Sequence, residues 1–86
     1  MRNIKEKIAY RFRPQKEERD CIEEGRYITY GIVVEQRVKG EWQEIDYVPD
    51  VTMDYEEANK LALACTEGQL SPLHLMDVIE DMIFSI

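Results

Sequence analysis

Apolar residues alternate with polar ones through the first half of this chain, then recur at helical spacing from Asp54 onward. Ile4, Ile8, Tyr10 and Phe12 fall at even positions, with Lys5, Lys7, Arg11 and Arg13 between them. A period of two is that of a strand with one face buried, here predicted over residues 1–13. Pro14 has no amide hydrogen to give to a ladder, so the strand is expected to end there. Residues 14–24 (PQKEERDCIEE) are charge-dense and read as a mobile loop.

The strongest strand signal runs from Arg26 to Val38. Ile28, Tyr30, Ile32, Val34 and Val38 share one face, while Tyr27, Thr29, Gly31, Val33, Glu35 and Arg37 share the other. Lys39-Gly40 is a candidate two-residue turn, making residues 25–48 a hairpin. If Val38 pairs with Glu41, then Val34 meets Ile45, Ile32 meets Tyr47 and Tyr30 meets Pro49, so the apolar sets coincide. The same register places Arg37 opposite Trp42 as a cation–π pair, and Glu35 opposite Glu44 at a small cost. Gly31 reads as a bulge or a close approach by another backbone.

From Asp54 the period lengthens. Asp54 and Glu57 have the spacing of a capping box, and the early acids Asp54, Glu56 and Glu57 suit the positive end of a helix. Ala58, Leu61, Ala62 and Cys65 form its buried stripe, and Gly68 is the natural stop. Ser71-Pro72 then opens a second helix, with Leu75, Met76, Ile79, Met82, Ile83 and Ile86 on one face. The helices are predicted over 54–67 and 71–84, joined as an αα-hairpin. The order β-β-β-α-α gives an α+β fold, a three-stranded antiparallel sheet with the helices packed on the face of Ile28, Tyr30, Ile32 and Val34. Leu61, Leu75 and Ile79 are expected to be among the most buried residues.

Eighty-six residues make one domain, residues 1–86, and the 44% hydrophobic and 34% charged shares are those of a globular protein. The formal charge of −7 is one-sided: Asp50 to Ile86 holds eight carboxylates and one Lys, while residues 1–49 balance ten against ten. Such a half repels nucleic-acid phosphates and attracts basic partners. Two cysteines fit neither a disulfide framework nor a metal motif. Without an apolar signal core or a membrane-length stretch, the expected location is cytoplasmic.

The runs YITYGI (Tyr27–Ile32) and LSPLHLMDVIEDMI (Leu70–Ile83) are similar to a small, functionally uncharacterised protein family of Firmicutes, mainly clostridia. In that family a YGI-like strand precedes a DxxxDxxxAxxL helix start and an LxPxHLxDVxEDF/M C-terminus, a resemblance covering roughly residues 25–86 in which Met82 stands where a larger aromatic is expected. It implies a stand-alone bacterial cytosolic protein and carries no catalytic residues to transfer.

No residue set points to catalysis, a cofactor or a metal. His74, the one histidine, reads as a helix-start residue bonding a local group, since a general base needs a positioned partner. Asp77, Glu80 and Asp81 lack the glycine-bearing loop of a calcium site and read as a solvated helix face. Glu80 and Asp81 are nevertheless placed against the helix dipole, a cost that solvent exposure keeps small or that a basic partner would offset, exposure being the preferred reading. Thr29-Tyr30-Gly31 matches a fluorescent-protein chromophore triplet by chance, because that chemistry needs a can of eleven strands. The expected function is a non-enzymatic interaction or regulatory module, binding a protein partner or a second copy. Tyr27, Val33, Arg37 and Trp42 on the uncovered sheet face, with Glu80 and Asp81, are the candidate surface. Single-stranded nucleic-acid binding on the same face is the alternative, disfavoured by the overall charge.

Overall fold

Three antiparallel strands in the order β1-β2-β3 are followed by two helices in the computed structural model, which describes residues 9–23 and 25–84. The strands are β1 (Tyr10–Cys21), β2 (Gly25–Val38) and β3 (Glu41–Thr52); α1 spans Tyr55–Glu67, and α2 (Leu75–Phe84) follows a 3₁₀ turn at Pro72–His74. The predicted α+β architecture is therefore the observed one. Phe12, Ile32, Val34 and Val51 of the sheet pack against Ala58, Leu61, Ala62 and Cys65 of α1 and Leu75 and Ile79 of α2. The helices thus cover the face that carries Tyr30, Ile32 and Val34, and Leu61, Leu75 and Ile79 are all buried. Ile28 on the same face is 40% exposed, because the sheet runs past the helices.

The first strand differs most from its sequence pattern. Residues expected as a loop from Pro14 onward instead continue β1 to Cys21, paired with β2 all the way to Gly25, and the connecting loop is three residues long. The predicted start of the strand, with Ile4 and Ile8, lies outside the described residues. Pro14 is tolerated for a geometric reason. The amide of Arg37 donates to the Ala9 carbonyl, so odd residues of β1 face β2 and even ones turn their peptide groups to the outer edge. Pro14 is even, and its missing N–H costs no ladder bond.

That outer edge is sealed next to the helices. The Gln69 side-chain amide accepts from the Tyr10 N–H and donates to the Tyr10 carbonyl, both at 2.9 Å. Thr66 Oγ1 accepts from the Phe12 N–H at 2.8 Å and lies 3.1 Å from the Phe12 carbonyl and 2.8 Å from that of Ala62. Two side chains of the α1 end thus imitate a neighbouring strand, and Pro14 follows with no donor to offer.

The β2–β3 turn is type I′, with Lys39 at φ 53° and Gly40 at φ 83°. The predicted register holds for Val38↔Glu41 through Glu35↔Glu44 and then shifts. Ile45 is an extra residue without a partner, 45% exposed, so Val34 meets Asp46 and Ile32 meets Val48. Tyr47, expected on the core face opposite Ile32, pairs with Val33 on the other face. A second shift puts Pro49, Asp50 (φ 54°) and Val51 beside Gly31, which returns Val51 to the core and pairs Tyr30 with Thr52 rather than Pro49. Gly31 is required here: a Cβ would lie 2.5 Å from the Val48 carbonyl and 2.6 Å from the Tyr47 hydroxyl.

Asp54 caps α1, accepting from the Glu56 amide at 2.9 Å and the Glu57 amide at 3.5 Å. The return half of the box passes through Thr52, whose hydroxyl accepts from the Asp54 amide and donates to Glu57. Gly68 is the C-cap of α1, as expected, in a right-handed conformation (φ −84°). Gln69 takes the positive φ (49°), with Leu70 N–H donating to Cys65 O and Gln69 N–H to Thr66 O as in a Schellman motif. Gln69 accepts this backbone cost because its side chain holds the β1 edge. Ser71 caps the 3₁₀ turn, and α2 starts one turn later than the pattern predicted.

Candidate interaction surface

The sheet face away from the helices is built by the odd residues of β2 and their neighbours on both sides. Tyr27 lies opposite Arg19, Thr29 opposite Glu17, Val33 between Arg13 and Tyr47, Glu35 between Arg11 and Glu44, and Arg37 opposite Trp42. Arginines and glutamates interleave with three aromatic rings.

Glu35 organises one end of this face. It is only 8% exposed, and its carboxylate accepts from Arg11 Nε at 2.7 Å, with Arg13 Nε at 3.4 Å. The Arg11 hydrogen bond holds its pKa below the ordinary carboxylate value, against the opposing effect of burial. Two guanidiniums also offset the Glu35–Glu44 juxtaposition. Arg11 in addition stacks on Trp42, its guanidinium carbon 4.5 Å from the ring centre, closer than Arg37 at 5.9 Å. The expected Arg37–Trp42 contact is present, yet Arg11 makes the nearer one. Pairing β1 with β2 would have found it, and reading residues 14–24 as a loop left no tight turn to fix that register.

Further along, the Thr29 hydroxyl is fully buried, 2.7 Å from Asp50 Oδ1 and 3.0 Å from the Thr52 carbonyl. A shallow groove of about 280 Å³ lies between Gln15, Glu17, Glu44 and Tyr47, with Val33 at its floor. Val33 itself is 2% exposed, so it supports the surface and offers nothing to a partner. Tyr27 and Trp42 are half-buried, and Arg37 is exposed. Glu80 and Asp81 are exposed on α2, in the helical layer, and so do not join the other candidates in one surface.

His74 is exposed in the 3₁₀ turn, its amide donating to the Ser71 carbonyl at 2.9 Å. Cys65 of α1 is buried in the core, which pushes its thiol pKa up; Cys21 is half-buried at the end of β1. Among the described residues no three His, Cys, Asp or Glu side chains converge as metal ligands, and no helix is long and apolar enough to cross a membrane.

A family of unknown function, DUF6514, matches residues 1–85, and the chain belongs to it. The match takes in β1 as well as the segments whose motifs first suggested an uncharacterised family. No curated protein and no solved structure matches the chain.

Proposed function

We propose that this member of the DUF6514 family is a non-enzymatic protein-binding module that presents the open face of its sheet. The observation that carries the reading is the layer arrangement. Both helices lie on one side, leaving Trp42, Tyr27 and Tyr47 among arginines on a face that no element covers among the described residues. Aromatic and arginine side chains held rigid by their neighbours are the composition of binding hot spots. Arg11 and Arg13, tied to Glu35, are pre-organised and lose little freedom when a partner arrives.

Single-stranded nucleic acid is the weaker reading. A base needs a free ring, and Trp42 already carries Arg11. Two of the face's arginines are paired with Glu35, and Glu17 and Glu44 would meet the phosphates.

Arg37→Glu tests the proposal, because Arg37 is exposed and makes no ion pair among the described residues. Thermal melting should stay close to that of the parent, while self-association by light scattering or capture of a protein partner weakens. Unchanged association across Arg37→Glu and a Tyr27→Ser companion would remove the open face from the account.

A further inference from the structure

The two edges of the sheet are treated differently. The β1 edge is sealed by Gln69, Thr66 and Pro14 beside the helices, and continues with Lys16, Glu18 and Asp20 of mixed sign. The β3 edge has no such cover. Because the Arg37 amide faces Ala9, the pair Arg37↔Trp42 exchanges no ladder bond, and Trp42 turns its N–H and C=O outward. Glu44, two residues on in the same register, does likewise. Among the described residues no side chain reaches those peptide groups; the next outward amide, that of Tyr47, is taken by its neighbour Asp46 at 2.8 Å.

The charge on this edge has one sign. Along β3, Glu41 to Thr52, the chain carries Glu41, Glu44, Asp46 and Asp50 without a Lys or Arg, and all four are exposed. Glu44 lies on the open face, while Glu41 and Asp46 point to the other, so a strand laid alongside meets carboxylates whichever way its side chains turn. A second copy pairing antiparallel here would set acids against acids, which is destabilising. A basic strand meets the opposite condition.

We infer that the outer edge of β3, centred on Trp42–Glu44, takes up a basic, extended segment of a partner protein by strand addition. The inference rests on the protein-binding reading and names the recognising element and the partner's chemistry. Backbone bonds from Trp42 and Glu44 supply the pairing, the acids select the sign of charge, and the Ile45 bulge limits the paired stretch to the turn-proximal end.

The probe is a capped octapeptide alternating Lys and Val, titrated against the intact protein and read by the emission of Trp42, the chain's one tryptophan. The peptide should shift that emission and slow hydrogen exchange at the Trp42 and Glu44 amides. A copy N-methylated along one edge and a copy with Glu for Lys should each bind about tenfold weaker or worse, as should the charge-reversed variants Glu44→Lys and Glu41→Lys at unchanged melting temperature. Equal binding by the N-methylated peptide overturns strand addition and leaves an open-face protein site standing. Equal binding by the Glu peptide, or by both variants, overturns the charge argument. No binding of the Lys peptide, or a dimer of the protein alone that occupies this edge in sedimentation and exchange, overturns the inference outright. Loss of the open face in the Arg37→Glu test, with the peptide still bound, would sink the broader reading alone.

Discussion

Ile79 and Glu35 show how differently single residues hold this small domain. Ile79 is 4% exposed within the hydrophobic core, and Ile79→Ala should cost roughly 2–5 kcal/mol in denaturant unfolding. A cost below about 1 kcal/mol would mean the core is elsewhere. Its place was legible because helical spacing alone puts Leu75, Ile79 and Met82 on one stripe. Glu35 acts through charge. Its pKa is lowered in the folded state by Arg11, so its contribution to stability is present above the ordinary value of 4.5 and is lost as pH falls through the lower folded value. The stability gap between the parent and Glu35→Gln should be widest near neutral pH and close as pH falls through the lowered folded pKa of Glu35. A gap independent of pH would show that the carboxylate charge is not what Arg11 and Arg13 hold. Sequence reasoning saw Glu35 only as a clash with Glu44, since the arginines come from a strand whose pairing had not been read.

At the scale of elements, β1 is held to the helices by side chains that complete its edge. Thr66→Val keeps the shape of the side chain but orphans the Phe12 amide, which should cost about 1–3 kcal/mol in unfolding free energy. No measurable cost would mean that water serves the edge as well as α1 does. Periodicity predicted all three strands and both helices, and Lys39-Gly40 correctly fixed the hairpin turn. Two features escaped it. Pro14 was a stop only if its N–H faced a neighbour, and strand orientation decides that, not composition. The Ile45 bulge breaks a period-two pattern that looked continuous, because an extra residue in one strand leaves no mark on alternation within the other. With it Tyr47 crossed from the expected core to the open face, enriching the candidate surface with a ring the sequence had assigned inside.

As a whole the molecule is elongated, 61 × 29 × 19 Å, because β1 and β2 continue as a two-stranded ribbon past the end of β3 at Thr52. Ile22 at the ribbon tip is fully exposed. The acidic second half of the sequence contributes both the helical layer and the end of β3, while Arg11, Arg13, Arg19 and Arg37 of the balanced first half lie on the open face. The charge asymmetry read from the sequence thus becomes a difference between two sides of one sheet, with an acidic edge beside an arginine-bearing face. Which side serves recognition turns on Trp42. Equilibrium unfolding of Trp42→Ser, measured alongside its association with itself or a captured partner, decides this directly. If Trp42 belongs to a surface, its loss should cost about 1 kcal/mol, the scale of its stacking with Arg11, while association falls. A cost of roughly 3–5 kcal/mol, with association lost only in proportion to unfolding, would make Trp42 part of the core and contradict the binding face.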